Sequence, residues 1–119
     1  MSEPVKGQRD ARVRKTAGRL QRLWEETGRQ LTDADAALKA EASAHPDSVR
    51  VLELREASEQ ALDANADAAF ALYLLHDLRQ EAHAEGLEQA AREKLSLSRS
   101  WLAREPEAEA DGPEIEAGG

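Results

Sequence analysis

The chain has 119 residues, of which 40% are hydrophobic, 34% charged and 3% aromatic, a length that suits one domain. Much of the apolar share is alanine, which argues against a dense globular core, and no segment joins β-branched residues to a two-residue alternation, which argues against a sheet. The formal net charge is −8 and there is no cysteine, so disulfides and thiolate metal sites are excluded, as is any run of the ~20 apolar residues a membrane span needs.

An Ala/Glu/Leu/Arg-dominated composition is that of long helices or coiled coils. The charge is uneven. Residues 1–30 carry eight Lys/Arg against four Asp/Glu, whereas residues 31–119 carry eight against twenty. The basic N-terminal residues have no apolar stretch behind them, so no secretory signal is expected, and a cytoplasmic protein is the default.

Residues 1–7, with Pro4 and Gly7, are expected to form a flexible N-terminus ahead of a single helical domain at 8–104. Val13, Ala17, Leu20, Trp24, Thr27, Leu31, Ala34 and Leu38 alternate at spacings of four and three, which is a heptad seam. It predicts one helix over about 8–43, roughly 54 Å long, that runs through Gly28 despite a cost of about 1 kcal/mol against Ala. Pro46 in SAHPDS marks a turn at 44–47. Asp47 and Ser48 suit the first turn of the next helix, and so short a loop makes an antiparallel hairpin.

The second helix is predicted over about 47–85, with Leu54, Ser58, Ala61, Leu62, Asn65, Ala69, Leu72, His76 and His83 on one face. At Gly86 it either continues to 104 or ends and restarts. The stripe stays in phase through Leu87, Ala90, Lys94 and Trp101 and no capping residue follows Gly86, which favours continuity. An overhanging helix then needs a partner, and the chain is expected to dimerise into a bundle; the alternative is a monomeric three-helix bundle with a break near Gly86. Residues 105–119 hold six carboxylates and no base and are expected to be a disordered acidic tail.

Three groups stand out. Arg12, Lys15, Arg19 and Arg22 share a face roughly 150° from the apolar seam, a stripe able to meet an anionic partner such as a phosphate backbone. No aromatic residue interleaves with it and no DNA-binding module frames it, so a solvated helix back is the plainer account. Phe70, Leu74 and Leu78, at i, i+4 and i+8, lie opposite Leu72 and Ala69. A helix apolar on two sides has two neighbours, either a second copy of the chain or a third helix of its own. Phe70, Leu74, Leu78 and Leu72 are the candidate interface, and Asn65 within this block is a candidate register-setting residue.

His76 and His83 form the third group. On one continuous helix they stand about 10.5 Å apart along the axis, too far to share an ion, and they read as seam-edge residues with a wet tip. No phosphate loop, nucleophile elbow or metal spacing occurs. The expectation is an all-α, non-enzymatic protein–protein interaction module without cofactor, a homodimer through its helix faces; the alternative is a nucleic-acid-associated protein using the basic face, modulated by the acidic tail.

Overall fold

The computed structural model describes residues 2–104, with side chains for 7–104; the acidic tail lies outside the described residues. Three helices account for nearly all of this span: α1 (Ser2–Ala44), α2 (Val49–His76) and α3 (Glu81–Ala103). They run up, down and up, with α2 packed along both of its neighbours and α1 touching α3 more sparsely. The result is an elongated body of 78 × 27 × 16 Å.

Local chemistry accounts for the first hairpin. Helix α1 begins six residues before the expected start at Gln8, and Pro4 falls in its first turn, where a missing N–H leaves no hydrogen bond unmade. Helix α1 passes through Gly28 unbroken, as the seam predicts, with Thr32 Oγ1 donating back to Gly28 O at 3.1 Å. After Pro46, Ser48 is the N-cap of α2, its Oγ accepting from Arg50 N at 2.9 Å. Arg50 then reaches across to α3 and donates to Trp101 O and Leu102 O at 3.0 and 2.7 Å. A guanidinium thereby satisfies the last carbonyls of α3 at the negative end of its dipole.

The second connection departs from expectation. The helix neither continues to 104 nor breaks near Gly86; it ends at His76, and α3 restarts at Glu81. The turn is made by Arg79, the one non-glycine with positive φ (58°) among the described residues, while Gln80 N–H reaches back to Leu74 O at 3.0 Å. Gly86 sits inside α3. The fold is therefore a three-helix arrangement in one chain, and the overhang that called for a partner does not exist.

Each helix buries a seam, in a phase that differs from the expected one on all three helices. On α1 the buried positions are Thr16, Leu20, Leu23, Thr27, Gln30 and Ala34. Leu23 and Gln30 replace Trp24 and Leu31, because α1 leans toward α3 as well as α2 and its buried edge rotates by one residue. On α2 the seam is Val51, Leu54, Ala57, Ala61, Ala64, Ala68, Ala71, Leu74 and Leu75; on α3 it is Ala84, Glu88, Ala91, Leu95 and Ser98. The five central alanines of α2 are fully buried. Each contributes only about 0.8 kcal/mol against 1.5–3 for a leucine, but a methyl lets two neighbours approach the backbone closely on either side. Leu23 and Leu95 fill one layer against Ala64 and Ala68; Leu20, Leu74 and Leu75 fill the next with Ala71 and Ala84.

The polar groups within these seams are satisfied. Gln30 Nε2 donates to Ser98 Oγ at 3.1 Å, and Ser98 Oγ donates to Ala57 O at 2.6 Å, which ties all three helices at one level. Asn65 Nδ2 donates to Trp24 O and to Thr27 Oγ1, both at 3.0 Å, and so pins α2 to α1 as a seam amide is expected to. Among the described residues no buried side-chain polar atom lacks a partner, which matters because each orphan costs about 1–3 kcal/mol.

Candidate interaction surface

The four candidate interface residues do not share one environment. Leu74 is buried at 3% exposure in the layer that α3 covers. Leu72 is partly buried, packed against the same layer of Leu20, Ala71, Leu74, Leu75 and Ala84. Phe70 and Leu78 remain exposed, at 49% and 47%, and Leu78 has left the helix for the α2–α3 turn. The i, i+4, i+8 series is thus split, because α3 folds back over Leu74 and the turn carries Leu78 away.

What α2 leaves uncovered is a different stripe. Leu62, Ala66, Ala69 and Tyr73 are spaced four, three and four, and all are exposed. Leu62 is 54% and Tyr73 47% accessible. The Phe70 ring lies alongside, stacked on Tyr73 with centroids 5.9 Å apart and planes 13° from parallel. Each ring restrains the other, which lowers the rotamer entropy a partner would have to remove. Apolar periodicity in the sequence places Leu62 and Ala69 on the core face, whereas both are exposed, together with Tyr73. The 4-3-4 spacing was there to be found, yet it runs beside an equally regular series through Ala61, Ala64, Ala68 and Ala71, and only one of the two can face α1 and α3.

The basic stripe is partly spent within the molecule. Arg19 donates from Nε to Glu88 Oε2 at 3.0 Å and from Nη2 to Oε1 at 3.1 Å, and Arg92 Nη2 donates to the same carboxylate at 2.8 Å. The Arg19 hydrogen bonds, ahead of the opposing effect of burial, hold the Glu88 carboxyl below the usual glutamate range, and the same contact raises the Arg19 guanidinium. Arg12 and Arg9 both reach Glu81, at 3.5 and 3.2 Å. Lys15 and Arg22 are exposed and form no ion pair among the described residues. On the other flank Lys94 donates to Asp67 at 2.8 Å, and that contact raises the Lys94 ammonium.

The two histidines are separated by the turn. His76 ends α2 and His83 lies in the first turn of α3, both exposed, with His83 Nδ1 3.4 Å from Gln80 Oε1. Among the described residues no three of His, Asp and Glu form a group that can hold a metal ion, and no helix is long and apolar enough to cross a membrane. A cavity of about 270 Å³ opens between the start of α1 and the α2–α3 turn, floored by Val13, Ala17 and Leu75 and rimmed by Arg9, Arg14 and Arg79.

The chain matches no protein-family description, no curated protein and no solved structure.

Proposed function

We propose that this protein is a non-enzymatic helical interaction module that receives a helix of a protein partner along the outer face of α2. The observation that carries the reading is the stacked Phe70–Tyr73 pair, half exposed on a face of α2 that also leaves Leu62 exposed and that no other described helix covers. Contiguous exposed apolar surface marks interaction sites, and rigid aromatic residues supply much of the binding energy at interfaces. The three-helix body supports the face from behind: a fully buried alanine seam holds α2 between two neighbours, so the outer stripe is presented on a rigid element. The homodimer expected from the sequence is one form of this reading. The buried polar groups are spent on one another, Glu88 on Arg19 and Arg92 and Ser98 on Gln30 and Ala57, which favours a structural over a chemical use of them.

The test is a photo-crosslinking residue placed at Leu62 or at Tyr73, with Asp33 on the outer side of α1 as control, activated in cells that make the protein. The outer-face positions are expected to yield a discrete adduct and the control none. Absence of any adduct at both outer-face positions would remove the reading.

A further inference from the structure

We propose that the occupant of this face is a second copy of the chain, with the two α2 helices antiparallel. The proposal rests on the interaction reading above and names its partner. A lone solvent-facing helix surface needs no heptad phase, whereas a seam that keeps one is matched to another helix. Leu62, Ala66, Ala69 and Tyr73 keep that phase while facing away from both helices of their own chain.

The polarity follows from what flanks the apolar stretch. Three residues before Leu62 the seam carries Glu59, and three residues after Tyr73 it carries His76, both exposed. In a parallel pair Glu59 meets Glu59 of the second copy and His76 meets its own mate, like on like. In an antiparallel pair, Glu59 of each copy meets His76 of the other, and an imidazole N–H can donate to the carboxylate twice across the two-fold axis. The same register sets Leu62 against Tyr73 of the second copy and Ala66 against its Ala69. Small residues then lie nearest the axis and allow close approach, as the alanine seam does inside the bundle. The stretch is about three turns long, short of the area that holds a permanent dimer, so a reversible association in the micromolar range is expected.

Sedimentation velocity over a wide concentration series tests the association: the mass is expected to rise from one copy to two. Because the chain has no cysteine, introduced thiols then report the polarity. Under oxidation, Leu62→Cys mixed with Tyr73→Cys is expected to give a crosslinked dimer, and Leu62→Cys alone to give none. Both positions are exposed, so neither substitution threatens folding. Glu59→Lys is expected to weaken association about fivefold, and Glu59→Lys combined with His76→Glu to restore it. A mass of one copy at every concentration overturns the proposal, as does self-crosslinking of Leu62→Cys. If the protein is monomeric yet the photo-crosslinker at Leu62 captures a protein of another mass, self-pairing falls and the interaction reading stands; if neither experiment gives a product, both fall.

Discussion

Arg19 and Glu88 meet fork to fork across the α1–α3 seam, with Nε 3.0 Å from Oε2 and Nη2 3.1 Å from Oε1. They lie 69 positions apart in the chain, and Glu88 is only 7% exposed. A carboxylate stays ionised at such depth only when its oxygens are occupied, and here Arg92 supplies a further N–H. One cation of the candidate anionic-partner stripe is therefore an internal fastener.

The pair predicts an acid dependence. Glu88 has a folded-state pKa below its ordinary value of 4.5, chiefly through the Arg19 hydrogen bonds. The unfolded state therefore binds more protons as pH falls, and the stabilisation is fully present above the ordinary value and lost as pH drops through the lowered one. Denaturation across an acid pH series should show a shallower loss of stability in Glu88→Gln than in the parent, with a deficit of about 2 kcal/mol at neutral pH. Curves that run parallel down to the acid limit would contradict this assignment.

Arg79 holds a left-handed conformation at φ 58°, where a β-carbon costs about 1–2 kcal/mol and glycine costs little. Arg79→Gly is expected to raise the unfolding free energy by up to about 1 kcal/mol, after the extra chain entropy of glycine is subtracted. A drop in the denaturation midpoint would mean that the Arg79 side chain stabilises the turn by more than its backbone strains it.

Gly28 and Gly86 lie within helices. A β-carbon at Gly28 would meet Asn65 Nδ2 at 3.5 Å, an ordinary contact, and one at Gly86 would meet nothing within 4 Å. Gly28→Ala and Gly86→Ala should each stabilise by about 0.5–1 kcal/mol. Gly86→Ala also discriminates the fold: a helix ending at Gly86 in a left-handed cap would be destabilised by the same change.

Ser98 is fully buried and bridges Gln30 to Ala57 O, while Ser96 and Ser100 in the same LSLSRS run are exposed. Ser98→Ala leaves the Gln30 amide without its partner and should cost about 1–2 kcal/mol. Ser96→Ala and Ser100→Ala should change stability by less than about 0.5 kcal/mol. Equal effects at all three positions, read by thermal melts, would rule out the three-helix tie.

Leu74 and Phe70 were expected on one interface and stand in opposite environments. Leu74→Ala should cost about 2–4 kcal/mol through the cavity it leaves among Leu20, Ala71 and Ala84. Phe70→Ala should leave stability within about 1 kcal/mol, since half its ring already faces water and its main fixed neighbour is Tyr73. The comparison needs only two denaturation curves, and similar losses would place Phe70 in the core.

Some of this architecture was legible in the sequence. The heptad spacing marks α1 as one helix through Gly28, because an apolar seam sustained over several turns outweighs a single glycine. Pro46 and Ser48 mark the first turn because their effects are local: a missing N–H, and a hydroxyl two residues from an orphan N–H. Asn65 was recognisable as a polar residue in a seam, although its partners Trp24 O and Thr27 were not. The stripe at Leu62–Tyr73 was harder to read, since the spacing of an apolar series does not tell which side of a helix is covered.

The sequence by itself determined the helical class, the first hairpin and the presence of more apolar faces on α2 than one neighbour can cover. Only the tertiary structure decided which faces are filled and where the second break falls. Leu23 and Trp24 differ by about 100° and lie on opposite sides of the Leu20–Thr27 line, so a modest rotation of α1 toward α3 exchanges one for the other in the buried seam. The turn at Asp77–Gln80 contains neither glycine nor proline, and Arg79 is held there against its own preference by the docking of Ala84, Glu88, Ala91, Leu95 and Ser98 along α2 and α1. A break maintained by contacts made along the next 20 or so residues leaves no signature at the break itself.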